Sequence, residues 1–121
     1  MSQELFGKCP YFTAQKVLQG KWSLLILFYL SYGPIRFNQL LRIMPDMTHA
    51  TLSKQLRQLE ASGLIIRTEY PQVPPKVEYS LSEIGRKFFP VLDSIREWGF
   101  QYFQYMEASG VNDSPSDHTL T

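Results

Sequence analysis

Residues 48–81 read THATLSKQLRQLEASGLIIRTEYPQVPPKVEYSL, and the fold follows from how that stretch divides. Thr48 is a good N-cap, because its hydroxyl can accept from a backbone N–H that the first helical turn leaves unpaired. Leu52, Leu56 and Leu59 then recur at helical spacing, and Gly63 is a residue that closes a helix. The spacing predicts a helix over about 49–62. Two strand-like runs follow, 64–70 and 76–81, rich in β-branched and aromatic residues. The second alternates Val77, Tyr79 and Leu81 against Lys76, Glu78 and Ser80. The three prolines between them cannot pair in a ladder, so they predict an extended hairpin tip.

Upstream, residues 36–43 place Phe37, Leu40 and Leu41 on one face of a short helix, and Pro45-Asp46 makes the turn after it. Helix, tight turn, capped helix and hairpin in that order predict a winged helix-turn-helix. The expected class is α+β, mostly α, with additional helices N- and C-terminal to the winged unit. Residues 21–31 are apolar almost all round, which predicts a buried central helix ended by Gly33-Pro34. Before it, residues 11–19 predict a short helix and residues 1–10 an arm. After the hairpin, Ser82 caps a new helix. Pro90 predicts a second start, with a long helix over about 90–107. The polar residues 108–121 are expected to form a tail. The domain itself is expected over 11–107, with the wing at about 65–81.

A helix that enters the DNA major groove must bury one face and offer the other. With Leu52 centred inward, Ala50, Lys54 and Arg57 face outward, flanked by Thr51, Ser53 and Gln58, with no acid until Glu60. Small residues allow close approach to base edges, hydrogen-bonding side chains read them, and cations neutralise phosphate. Readout is expected from His49, Ala50, Thr51, Lys54 and Gln55, with Thr48 and Ser53 beside them and Arg57 on phosphate. Arg67 and Lys76 flank the hairpin tip and are expected to meet phosphate or the minor groove, although Glu69 and Glu78 dilute their field. A face of Lys, Gln and Arg is by itself usually only solvated. The order of elements gives it weight, and an alternative remains: a winged-helix module that binds protein without reading DNA.

Composition is consistent with this and excludes other classes. The 121 residues suggest one domain, and 44% hydrophobic residues are enough for a packed core. The formal net charge of +1 hardly advertises nucleic acid. Residues 1–79 carry nine Lys/Arg and five Asp/Glu, whereas 80–121 carry three and six, so a mildly basic front is offset by an acidic back. One cysteine, Cys9, cannot form an internal disulfide. Neither a signal peptide nor a membrane span is expected, and the location expected is cytoplasmic. Two distant histidines, no metal-ligand spacing and no phosphate loop argue against an enzyme, a metal or a cofactor.

Several fragments together resemble the HxlR-type regulators, a branch of the winged-helix proteins related to MarR. They are Cys9-Pro10, Gly20-Lys21-Trp22, Arg36-Phe37-Asn38-x-Leu40, and Leu52-x-x-x-Leu56-x-x-Leu59-Glu60-x-x-Gly63-Leu64-Ile65. Arg67, Val73-Pro74-Pro75-x-Val77-Glu78-Tyr79-x-Leu81-x-Glu83-x-Gly85 and Trp98-Gly99 complete the set. The match spans about 9–100. Met47-Thr48 stands where the family often has an aliphatic residue and Ser, and Ser82 where Thr is commoner. The resemblance implies a homodimeric transcription factor on double-stranded DNA, joined through its terminal helices. Arg36 and Asn38 join the candidate DNA contacts within the matched motif. It also implies that some members sense electrophiles, oxidants or small molecules, in some cases through a cysteine matching Cys9. Cys9 is therefore the candidate sensor, the alternative being a small apolar filler near a dimer interface.

The late helix supports a dimer independently. Val91, Leu92, Ile95, Trp98, Tyr102, Phe103 and Met106 cover more than one stripe, and the surplus needs a second copy. The reading is a DNA-binding regulator, with repression the favoured mode, acting as a homodimer on a palindromic operator.

Overall fold

The computed structural model describes residues 2–44 and 46–110. Its elements are α1 (Ser2–Leu5), α2 (Pro10–Val17), α3 (Ser23–Leu30), β1 (Ile35–Arg36), α4 (Phe37–Ile43), α5 (His49–Ala61), β2 (Ile65–Tyr70), β3 (Lys76–Leu81), α6 (Glu83–Arg86) and α7 (Phe89–Ser109). The three strands form one antiparallel sheet in the order β1-β3-β2. This is the winged helix-turn-helix, mostly helical, with α4 and α5 as the helix pair and β2–β3 as the wing.

Local chemistry sets the ends of α5. Thr48 Oγ1 accepts from Thr51 N–H at 3.1 Å, a cap worth about 1 kcal/mol. At the other end Gly63 takes φ +83°. That conformation lets Leu64 N–H reach Leu59 O (3.1 Å) and Gly63 N–H reach Glu60 O (2.9 Å), which satisfies carbonyls the helix would orphan. The chain then runs directly into β2. β2 and β3 pair with Ile65 opposite Leu81, Arg67 opposite Tyr79 and Tyr70 opposite Lys76.

The core is shared by Ile26, Leu27 and Leu30 of α3, Leu40 of α4, Leu52, Leu56 and Leu59 of α5, and Ile65, Tyr79 and Leu81 of the sheet. The apolar stripe of α5 thus seats the helix on the body.

Four expectations change. Residues 1–10 are not simply an arm: residues 2–5 are helical, and Pro10 opens α2, where its fixed φ suits a first turn. The two-residue strand β1 pairs Ile35 with Tyr79 and Arg36 with Glu78, an element the sequence did not announce. The central helix α3 is not buried all round. Leu24 and Phe28 are each 39% exposed, and Tyr32 beyond them is also exposed, so its second apolar row faces outward. Finally, α7 continues to Ser109, into the stretch expected as tail. The remainder of that stretch, 111–121, lies outside the described residues, as does Pro45 of the expected turn.

Candidate nucleic-acid interface

The outward side of α5 carries His49, Ala50, Thr51, Lys54 and Arg57, all exposed, with Ser53 half-buried beside them. Ala50, Lys54 and Arg57 stand four and three residues apart, so they form one row opposite Leu52 and Leu56. The first turn holds no acid, which leaves the positive end of the helix dipole uncancelled there. Arg67, Lys76 and Arg96 form ion pairs, and among the described residues none involves Lys54 or Arg57. These two cations therefore need not give up a carboxylate to meet phosphate.

His49 is steered from below. Its ring lies 4.6 Å from that of Phe37 on α4, and its Nδ1 is 3.5 Å from Ser53 Oγ. This tilted ring contact joins the two helices of the pair at the N-terminus of α5. Arg36 and Asn38 are exposed at the start of α4, where Gln39 Oε1 accepts from Arg36 N–H (3.2 Å).

Gln55 is a correction. Expected to read bases, it is only 5% exposed and turned into the body. Trp22 N–H donates to its Oε1 (3.4 Å), and its Nε2 donates to Ser23 Oγ (3.1 Å) and lies 3.4 Å from Gln19 O. Its place on the wheel explains this. At about 100° per residue it falls roughly 60° from Leu52 and 40° from Leu59, within the buried arc.

The wing is also different in detail. Side chains alternate along a strand, so Arg67 lies on the face of Ile65 and Tyr79, towards α5, whereas Lys76 lies on the other face with Tyr70 and Glu78. A hollow of about 520 Å³ between α5 and the wing is lined by Arg57, Glu60, Arg67 and Tyr79 together with Phe37 and His49. Arg67 Nη1 donates to Glu69 Oε1 at 2.8 Å. That bond, with the Tyr79 side chain beside it, holds the guanidinium above its ordinary pKa, so it stays charged. Lys76 sits 3.3 Å from Glu78 and over the Tyr70 ring at 4.6 Å. Tyr70 Oη donates to the same Glu78 (3.1 Å), which raises the phenol above its ordinary value. Each wing cation thus has a carboxylate two residues along, and the two lie on opposite faces of the wing.

On α7 no residue is buried. Val91, Ile95, Trp98, Tyr102 and Phe103 are exposed, as are Phe89, Phe100 and Tyr105, which the sequence reading passed over. Leu92 is half-buried against the molecule's own core and also lines the groove beside Phe89 and Ile95. Met106 is half-buried. Cys9 is half-buried as the N-cap residue of α2, with no side-chain capping bond. No helix among the described residues is long and apolar enough to cross a membrane, and they hold no group of metal-ligating side chains.

Comparison with known proteins adds independent information. The sequence model described as "HxlR-like helix-turn-helix" matches residues 17–107. The chain is 44% identical over 102 residues to the HTH-type transcriptional regulator YkvN of Bacillus subtilis, covering 84% of this chain and 86% of that one. Two solved structures are described as the redox regulator HypR. The reduced form matches with a TM-score of 0.77 at 41% identity, over 82% of this chain and 98% of that one. The oxidised form matches with a TM-score of 0.72 at 44% identity, over 77% and 96%.

Proposed function

We propose, from the premise that this chain belongs to the HxlR-like helix-turn-helix family and is a DNA-binding transcriptional regulator, that it works as a homodimeric repressor on a palindromic operator. The observation that carries the mode of reading is the outward face of α5, where Lys54 and Arg57 stand exposed and without a carboxylate partner among the described residues. In this reading α5 enters the major groove with His49, Ala50, Thr51 and Lys54 on base edges and Arg57 on phosphate. Thr48, Ser53, Arg36 and Asn38 flank that contact. Arg67 is the wing's candidate, because it faces the α5 side. Lys76 would meet only DNA that wraps past the wing's far face.

A mobility-shift titration against the DNA upstream of its own gene tests this. Binding should weaken steeply as salt rises, because each neutralised phosphate releases counterions. Salt-insensitive binding, or none, would favour the protein-binding alternative. Within that assay, Arg57→Ala should weaken all duplexes alike and lower the salt slope by about one. Lys54→Ala should also narrow the gap between operator and other DNA. Neither should shift stability by more than about 0.5 kcal/mol. If either variant unfolds, the face assigned to DNA is part of the core.

The second copy is proposed to cover α7. The 21-residue helix is about 30 Å long and buries none of its aromatic side chains within one chain. The exposed row of α3, Leu24 and Phe28, lines a groove against Phe89 and Ile95 of α7. A symmetric pair would set two α5 helices about one DNA turn apart, roughly 34 Å.

The HypR structures are described as a redox regulator in two states, which supports an oxidant or electrophile as the signal for this chain and Cys9 as the thiol that meets it. Lacking a second cysteine in its own chain, Cys9 would pair between subunits or with a small thiol. Diamide should release wild-type protein from DNA and leave Cys9→Ser bound. Equal release of both would remove the thiol from the account.

A further inference from the structure

The burial of Gln55 leaves a question about what a polar side chain does in the middle of the seating face of α5. Its amide meets the junction between α2 and α3. Gln55 Nε2 donates to Ser23 Oγ, the first residue of α3, and approaches the Gln19 carbonyl just past α2 and Gln58 Oε1 on its own helix (3.4 Å each). Gln55 Oε1 accepts from Trp22 N–H. Ser23 Oγ in turn donates to Gln19 O at 2.8 Å, which closes the ring. The connecting turn passes directly over the amide. A Cβ built on Gly20, at φ +105°, would stand 2.4 Å from Gln55 Oε1 and 2.6 Å from Nε2.

The neighbours of Gln55 on that face are Leu52, Leu56 and Leu59, and apolar contacts are non-directional. Leucines alone hold α5 against the body while tolerating small rotations about its axis. Hydrogen bonds do not, because they weaken steeply outside a narrow range of distance and angle. A rotation of roughly 20° carries a side-chain tip on a helix of about 5 Å radius through roughly 2 Å. That is enough to break a base-edge contact while phosphates are still reached.

We propose that Gln55 is the positioning residue of the reading helix: its amide locks the rotation of α5 to the α2–α3 turn, so that His49, Thr51 and Lys54 meet base edges in register. The proposal deepens the reading of α5 given above and rests on it. Its consequence is a separation of two quantities. General affinity for DNA comes from charge and is insensitive to a slight rotation, whereas discrimination between sequences depends on it.

The test uses two duplexes of equal length and composition, the upstream region of its own gene and a scrambled version, with fluorescence anisotropy on full-length protein. Gln55→Leu should lower the ratio of the two affinities by about tenfold or more, the value of one or two lost base contacts. Affinity for the scrambled duplex and its salt dependence should stay within about twofold. Leu59→Val, which opens a small cavity in the same helix without touching the joint, should keep the ratio although it lowers thermal stability. Ser23→Ala should lower the ratio too, and should add little when combined with Gln55→Leu, because both act through one joint. If Gln55→Leu folds poorly, Ser23→Ala against Leu59→Val decides. An unchanged ratio in the joint variants, or an equal loss in Leu59→Val, overturns the proposal and makes Gln55 an ordinary core residue. A wild-type protein that does not distinguish the duplexes overturns the readout reading, and the joint with it.

Discussion

Trp98→Glu combined with Phe103→Glu should convert the protein to a folded monomer and weaken its binding to operator DNA by about a hundredfold or more. Both side chains stand well clear of the single chain, Trp98 at 63% and Phe103 at 60% exposure, so the monomer loses little by the change. In a dimer the same positions would have to take carboxylates out of water against the aromatic groups around them. These include Tyr102, whose ring lies 5.4 Å from Trp98, and Phe100, 5.8 Å from Phe103. Burying an unpaired charge in such a surface costs several kcal/mol per group. The loss at DNA follows from the loss of linkage. Two reading helices held together bind the second half-site as an intramolecular event, and a monomer forfeits that advantage. Sedimentation gives the mass and anisotropy the affinity. A dimer that persists at unchanged concentration would place the interface elsewhere, and a double variant that fails to fold would mean that α7 packs within one chain.

Gly85→Ala should destabilise the chain by about 3 kcal/mol or more, through overpacking against backbone that has nowhere to move. A Cβ at Gly85 would stand 2.2 Å from the Leu64 carbonyl oxygen. That oxygen already accepts from Ser82 N–H at 3.0 Å. Ser82 Oγ accepts from Gly85 N–H at 3.1 Å and donates back to the Gly63 carbonyl. The first turn of α6 is thus fastened to the point where α5 ends and β2 begins. An added methyl must push those segments apart and loosen the reading helix from the wing. For a chain of this size the loss should lower the melting temperature by more than about 10 °C, out of a total stability of about 5–15 kcal/mol. A melting curve within a degree or two of wild type would show that α6 can shift freely, and that the fastening is not part of what holds α5 and the wing together.

The features legible in the sequence were those written in local chemistry. Thr48, Leu52, Leu56, Leu59 and Gly63 mark the reading helix because a cap, a stripe and a left-handed closing residue each have one structural use. The alternation of Val77, Tyr79 and Leu81 marked the central strand for a similar reason. Strand β1 was illegible because two residues carry no period. Gln55 was misread because its residue type outweighed its angle, although the helical wheel already put it inside the buried arc. The outward row of α3 was hidden for another reason. An apolar side chain that meets its own core and one that awaits a second copy look alike in a sequence, and only the packed chain separates Ile26 from Phe28. The wing cations were found, but their opposite faces and their carboxylate partners depend on strand register, which pairs Arg67 with Tyr79 and Tyr70 with Lys76.

The measurement closest to the central claim is hydroxyl-radical footprinting of the upstream DNA with the full-length protein. Two related protected segments should appear, centred about one helical turn apart, roughly 34 Å, each lost in step when Lys54 and Arg57 are both replaced by alanine. A single patch, protection unrelated by symmetry, or a footprint indifferent to Lys54 and Arg57 would contradict that claim.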